Sequence, residues 1–204
     1  LVGDKIGQLP KNLCVTSTNL CDPIRNELIE LHHNCESDTT NARHLHFYDP
    51  HEKVSDCVVA SAAAPTYFPV YKGRCDGGMI QNNPALAACQ LVQNSQALPE
   101  HLKKKYSCLS ISTGSNFTSS TTSKDDNWGI AKWSAQILDV IMGGANVATH
   151  LFTDAMMNPP DSTRTRYYRI DPYLTEIPAL DDNSPRAMEI LKNGCADLDI
   201  SNAC

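Results

Sequence analysis

The residues of this chain most able to do chemistry lie in two closely spaced runs. They are Ala60-Ser-Ala-Ala-Ala-Pro-Thr-Tyr-Phe-Pro69 and Asp76-Gly-Gly-Met-Ile-Gln-Asn-Asn-Pro-Ala-Leu86. The first packs small side chains and then stops a helix at Pro65. A run of alanines lets a helix lie close against neighbouring backbone, as near the floor of an active site. The second run sets a carboxylate, Asp76, at the end of a short strand, on a Gly77-Gly78 pair able to adopt positive φ. That arrangement exposes and fixes an acid at the carboxyl edge of a sheet, where α/β folds place their sites. Asp-Gly alone is an ordinary turn. The small-residue run before it and Asn82-Asn83-Pro84 after it supply the context that makes Asp76 a candidate. Histidine chemistry is the rival. His44 and His46 share one face of an expected strand, His51 follows, and His32-His33-x-Cys35 precedes them. A metal ion needs three or four convergent ligands, themselves held by further hydrogen bonds. Nothing in this spacing demands that, and these residues read as surface polar groups.

The elements that must position Asp76 follow from periodicity and from chain breakers. Leu13 to Thr18 reads as a buried strand. Pro23 to His33 has helical spacing at Ile24, Leu28 and Leu31, with Asp22 as N-cap. Cys35 to Asn41 is polar and reads as a loop, and Arg43 to Tyr48 as a strand stopped by Asp49-Pro50. Lys53 to Ala64 predicts a helix, and Tyr67 to Cys75 a short extended stretch. Pro84 opens a helix running to about Gln96. Tyr106 to Ser112 predicts a strand, and Asn116 to Asn127 a polar loop. From Gly129 to Met157 apolar residues recur at Ile130, Trp133, Ile137, Val140, Val147 and Leu151, predicting a long amphipathic helix with a kink at Gly143-Gly144. One apolar stripe without Lys or Arg enrichment opposite it predicts core packing, with the Trp128 and Trp133 end turned toward substrate. Arg166 to Ile170 reads as a last strand. Ser184 to Gly194 reads as a last helix, capped by Ser184 with Pro185 in its first turn. Strands alternating with helices imply an α/β layered fold.

The paired runs, in this order, resemble the patatin family of lipid acyl hydrolases, which includes plant storage lipases, bacterial phospholipase toxins and calcium-independent phospholipases. The resemblance continues in Leu109-Ser-Ile-Ser-Thr-Gly114, in Tyr168-Arg-Ile-Asp171 and in Leu180-Asp-Asp-Asn-Ser-Pro185. It is patchy before Arg43. It implies the C-terminal part of a three-layer α/β/α domain with a mixed central sheet, spanning residues 1–204 as one partial domain. It also implies a Ser–Asp dyad, with Asp76 as the acid that activates the serine. Gly77 and Gly78 then shape its turn, and Asn82, Asn83 and Pro84 lock the start of the following helix. The implied reaction is acyl transfer through an acyl-enzyme and then hydrolysis, with no metal and no cofactor.

The chain departs from that pattern in one respect. It contains no G-x-S-x-G nucleophile elbow and no glycine-rich oxyanion segment. Both are expected upstream of Leu1, so no nucleophile is assigned within the chain and the 204 residues alone are predicted inactive. Ser115, after Gly114 at the end of an expected strand, is superficially elbow-like. Asn116 and Phe117 replace the second glycine, however, and Ser61 sits packed between alanines. The implied partners are a lipid or acyl-ester substrate, a transient membrane-surface contact, and the missing N-terminal part of the domain. The alternative is a non-catalytic lipid-binding protein of the same fold.

Composition narrows the field further. Length suits one compact domain, with 41% hydrophobic and 20% charged residues. A net charge of −6 excludes nucleic acid as a partner, since its binders need clustered Lys and Arg. Val58 to Val70, the most apolar window, is broken by Pro65 and Pro69, so no membrane span is expected. No signal-peptide pattern opens the chain, and a soluble, cytoplasmic protein is expected. The nine cysteines form no Cys-x-x-Cys pair, which excludes a zinc ribbon or thioredoxin-type motif. Cys57, Cys89 and Cys108 read as buried reduced thiols. Asn116-Phe117-Thr118 is a chance-level glycosylation sequon.

Overall fold

A computed structural model describes residues 5, 9, 13–20, 29–33, 51–95, 98–116, 129–196 and 198. The expected helix start at 22–28, the loop at 35–41, the strand at 43–48 with His44 and His46, and residues 117–128 lie outside them. The described elements mix strands and helices along the chain: β1 (Cys14–Asn19), β2 (Ile29–His33), α1 (Val54–Ser61), β3 (Arg74–Asp76), α2 (Gly78–Gln81), α3 (Ala85–Asn94), α4 (Glu100–Lys103), β4 (Cys108–Ile111), α5 (Ile130–Met157), β5 (Tyr167–Ile170) and α6 (Pro185–Ala196). Helices and small sheets together make an α/β fold.

The chain divides into two compact units, Leu1–Tyr106 with Gln136–Thr153, and Ser107–Ala135 with Asp154–Cys204. The first holds an antiparallel sheet in the order β2-β1-β3. β1 pairs with β2 from Cys14↔His33 to Thr18↔Ile29, and with β3 from Ser17↔Asp76 to Asn19↔Arg74. Ile29–His33 is therefore a strand, against the helix that the spacing of Ile24, Leu28 and Leu31 predicts. Ladder bonds to β1 outweigh a weak local preference there. The core of this unit is made of small side chains, with Cys57, Ala60, Ala63, Cys75, Ala85, Ala87 and Cys89 all buried. Side chains of this size let backbones approach closely, as the alanine run predicts.

Between α1 and β3 the chain turns instead of extending. Pro65 and Thr66 form the centre of a reverse turn in which Tyr67 N–H donates to Ala64 O at 3.2 Å and Thr66 has φ 74°. Tyr71 and Arg74 then exchange both backbone hydrogen bonds at 2.9 Å. Lys72 (φ 49°) and Gly73 (φ 78°) form the two-residue loop of this hairpin. Strand structure is thus confined to Arg74–Asp76. Asp56 on α1 accepts hydrogen bonds from Tyr71 Oη at 2.7 Å and Lys72 Nζ at 2.5 Å, and Arg74 pairs with Glu52.

The second unit contains a parallel pair, β4 with β5, in register from Cys108↔Tyr167 to Ile111↔Ile170. A parallel pair needs a crossover, and α5 supplies the helix between the two strands. Asn158, at the end of α5, fastens the return. Its side chain donates to Tyr167 O at 3.0 Å and accepts from Arg166 N at 2.7 Å and Tyr167 N at 3.1 Å. α6 begins as its sequence predicts, with Ser184 Oγ accepting from Ala187 N at 3.2 Å.

The long helix α5 runs unbroken through Gly143 and Gly144. Its apolar stripe does not form the core. Ile130, Trp133, Ile137, Val140, Val147 and Leu151 are all exposed, and among the described side chains of α5 the buried ones are Thr149, Thr153 and Met157. These three recur at four-residue spacing, and Thr153 Oγ1 satisfies itself by donating to Thr149 O at 2.7 Å. Periodicity identifies an apolar face but carries no information about what covers it. Among the described residues no helix is long and apolar enough to cross a membrane.

Candidate functional site

Asp76 ends β3, at the point where the strand passes into α2 by way of Gly77. Its backbone is held from two directions. The N–H donates to Ala63 O at 3.0 Å, which ties β3 to the end of the alanine run. The carbonyl oxygen accepts from Thr18 Oγ1 at 2.9 Å, across the ladder to β1. The carboxylate is half-buried, and its Oδ1 accepts from Gly78 N–H at 2.7 Å. No described residue donates a hydrogen bond to Oδ2. One carboxylate oxygen is thereby oriented and the other left available to a donor.

The glycine pair serves this site for a reason other than the expected one. Gly77 has φ −64°, a right-handed conformation open to any residue, and the positive-φ glycines are Gly73 and Gly114. What Gly77 provides is space. A Cβ there would lie 2.5 Å from the carbonyl carbon of Thr16 and closer still to its carbonyl oxygen and Oγ1. β1 therefore lies directly over the Asp76 turn, and only a residue without a side chain permits that approach. At Gly78 a Cβ would come within 3.1 Å of Asp76 Oδ1 and 3.2 Å of both Asn82 Oδ1 and Met142 Cε. Thr16, Thr18 and Met142 are neighbours of the site that sequence reasoning missed. Leu13 to Thr18 reads as a buried strand, but nothing local names its partner.

The two asparagines after α2 differ in environment. Asn82 is exposed, whereas Asn83 is buried and its Oδ1 accepts from Ala85 N at 3.1 Å. That bond covers an otherwise orphaned donor at the start of α3. Pro84, with φ −79°, stands immediately before the first helical residue. Of the sequence-predicted group, Asp76, Gly77, Gly78, Asn82, Asn83 and Pro84 thus form one continuous strand–turn–helix.

The other serines lie elsewhere. Ser115 belongs to the second unit, where its N–H donates to Pro172 O at 2.9 Å and its carbonyl accepts from Leu174 N at 2.9 Å. Its Oγ is buried and lacks a partner among the described residues. Ser61 is the last residue of α1. Burial pushes Cys57 up to about 12, and both burial and the adjacent Asp76 raise Cys75. Cys57 and Cys89 are buried free thiols, and Cys108 is partly exposed. Among the described residues, no three His, Cys, Asp or Glu side chains converge as a metal site would require.

Two comparisons with known proteins bear on this segment. A family model described as Patatin-like phospholipase matches residues 17–89, the stretch from β1 to Cys89 in α3 that contains the Asp76 turn. Patatin-like protein 1 of Arabidopsis thaliana is 30% identical over 148 residues, covering 58% of this chain and 35% of the relative. The chain therefore spans about a third of the length of the curated relative it matches. Both comparisons find this chain similar to patatin-like proteins, the first of them over the segment that carries Asp76.

Proposed function

We propose that this chain supplies the acid of a Ser–Asp dyad in a hydrolase acting on acyl esters of phospholipids or related lipids. The observation that carries the reading is the fixation of Asp76. Its backbone is pinned to Ala63 and Thr18, Oδ1 is held by Gly78 N–H, and Oδ2 takes no bond from the described residues. A general base needs this kind of placement, since its geometry must precede the proton transfer. The segment is also the one the family comparison covers.

In this reading residues 1–204 form the C-terminal part of one three-layer α/β/α domain with a mixed central sheet. The serine elbow and the oxyanion loop come from a segment N-terminal to Leu1. The serine Oγ attacks the ester carbonyl carbon as its proton passes to the Asp76 carboxylate, which must be ionised to receive it. The tetrahedral oxyanion is held by backbone N–H groups of the glycine-rich loop, worth about 3 kcal/mol per donor in comparable hydrolases. Collapse expels the alcohol, protonated from Asp76, and leaves an acyl-serine. Water activated by the same carboxylate then releases the fatty acid and restores the serine. Gly77 and Gly78 admit the close packing that holds the turn, and Asn83 with Pro84 fixes the helix behind it. Brief contact with a membrane surface brings substrate to the site.

The test is Asp76→Asn in a polypeptide that contains both the elbow and this chain. The amide keeps Oδ1 for Gly78 N–H and loses the base. We expect kcat to fall by roughly three or more orders of magnitude, with Tm moving by no more than about 2 °C. Near-wild-type turnover on a phospholipid refutes the dyad, and loss of folding makes Asp76 a structural residue instead. The 204-residue chain by itself should leave p-nitrophenyl acyl esters intact.

A further inference from the structure

The sequence from Ala62 to Tyr71 contains ten residues without a charge of either sign. Its outer part is a continuous exposed stretch from Thr66 to Val70, with Tyr67 47%, Phe68 59% and Val70 55% exposed. Two turns support this tip. The reverse turn through Pro65 and Thr66 stands at one end, and the Tyr71–Arg74 hairpin at the other. Thr66, β-branched at φ 74°, is held in a conformation that such residues rarely adopt. The tip is therefore presented by fixed backbone. Its base is continuous with the candidate site, because Ala63 O receives the N–H of Asp76.

Charge decides what this tip fits. Two ion pairs stand at its root, Asp56 with Lys72 and Glu52 with Arg74, with the single further cation Lys53 beside them, which is no polybasic cluster. A polybasic root would attract an anionic surface, and a chain of net charge −6 is repelled by one. Size decides between protein and lipid. A fully buried Phe or Tyr contributes roughly 150–250 Å², so two half-exposed rings and one valine offer on the order of 300 Å². A stable protein interface needs about 800 Å² per partner. Aromatic side chains with an uncharged backbone turn are the chemistry of the lipid–water boundary, where Tyr and Phe sit at headgroup depth.

We propose that the Tyr67–Val70 tip is an interfacial anchor that docks this protein on a zwitterionic lipid surface and sets the Asp76 side of the site against it. The proposal rests on the lipid acyl hydrolase reading for its purpose, and its own test is binding. The full-length protein is floated with phosphatidylcholine vesicles, with and without a fifth (~20%) of phosphatidylglycerol. Loss of about 60 Å² of apolar burial is enough to weaken partition tenfold. Tyr67→Ser/Phe68→Ser should therefore reduce partition at least tenfold, and Phe68→Trp, with a larger interfacial side chain, should increase it. Anionic lipid should give equal or weaker binding. Hydrolysis of a short water-soluble ester should be unchanged in both variants.

Unchanged partition in the double variant overturns the proposal, as does a wild-type protein that fails to float. Self-association that the double variant abolishes, without vesicle binding, also overturns it and assigns the tip to a second copy. If the double variant does not fold, Phe68→Trp decides alone, and no gain in its partition overturns the proposal. A protein that floats through Tyr67 and Phe68 yet cleaves no ester refutes the hydrolase reading and leaves the anchor standing.

Discussion

Gly77→Ala is the most direct probe of how the Asp76 turn is held. The backbone conformation at this position, φ −64° and ψ −23°, is one alanine adopts freely, so no torsional strain follows. The cost is steric. A Cβ would lie 2.5 Å from the carbonyl carbon of Thr16, where ordinary contact is about 3.5 Å. Relief requires about 1 Å of movement, and the obstacle is the backbone of β1, which pairs with β2 at Thr16↔Leu31 and with β3 from the next residue, Ser17↔Asp76. Overpacking of this kind costs ~1–3 kcal/mol, and an immobile backbone places the cost toward the upper end. Replacing glycine returns roughly 0.4–1 kcal/mol through the unfolded chain. The net loss of about 2 kcal/mol lowers Tm by about 4–8 °C for a chain of this size. Gly78→Ala is the control. Its nearest atoms, Asp76 Oδ1 at 3.1 Å and Asn82 Oδ1 and Met142 Cε at 3.2 Å, are ends of side chains that can give way. That variant should melt within about 2 °C of wild type and still lose activity, because one of the displaced atoms belongs to the Asp76 carboxylate. Melting curves followed by circular dichroism, beside kcat/KM on an acyl ester, separate the two. A Gly77→Ala protein as stable as wild type would refute the claim that β1 closes over this turn.

The twin asparagines should separate as well. Asn83→Ala strips a buried Ala85 N–H of its acceptor and should cost about 1–2 kcal/mol, while Asn82→Ala, at an exposed position, should leave the urea midpoint unchanged. Asp56 is held below the usual carboxylate range, first by Lys72 and then by Tyr71, so its contribution to stability is full above its unfolded value near ~3.9 and is lost as pH falls through the depressed folded value. Lys72 and Tyr71 are raised by Asp56, so their contribution is full below their unfolded values near ~10 and is lost as pH rises through the folded ones. In Tyr71→Phe, carboxyl NMR titration should find Asp56 returned toward its ordinary value. Thr66→Gly relieves a left-handed β-branched residue worth ~1–2 kcal/mol and gives back roughly 0.5–1 in unfolded-state entropy, so Tm should rise by about 1–3 °C; a fall would refute the strain.

What was legible in the sequence was local chemistry. Asp76 at a strand end, Pro84 ahead of a helix and Ser184 capping another each depend on a few adjacent residues, and the structure has them where turn and cap rules place them. What was not legible depends on partners remote in sequence. Ile29–His33 carries a helical spacing, and only the β1 ladder makes it a strand. Gly77-Gly78 suggested positive φ, because that is the common use of a glycine pair. The actual constraint is the approach of Thr16, sixty-one residues away. The stripe of α5 was assigned to the core on periodicity, yet among its described side chains Thr149, Thr153 and Met157 are the buried ones. A hydrophobic pattern reports a preference for cover, and the identity of the cover lies outside the helix.

The placement of Asp76 also separates holding from reacting. Three groups with no reactive chemistry of their own fix it: a carbonyl from Ala63, a hydroxyl from Thr18 and an N–H from Gly78. Two of the three act on the backbone, so the position of the carboxylate is set before its side chain makes any bond. Among the described residues Oδ1 alone is engaged, by a main-chain donor that a substitution at another side chain does not remove. Asp76 is therefore held by hydrogen bonds to β1, to the end of the alanine run and within its own turn. Small residues crowd this region: Ala60 and Ala63 are buried, and a Cβ at Gly77 would meet the backbone of Thr16, so added bulk finds no free space there. A site built in this way is expected to keep its fold when the Asp76 carboxylate is replaced, and to respond instead to added bulk in the residues beneath it.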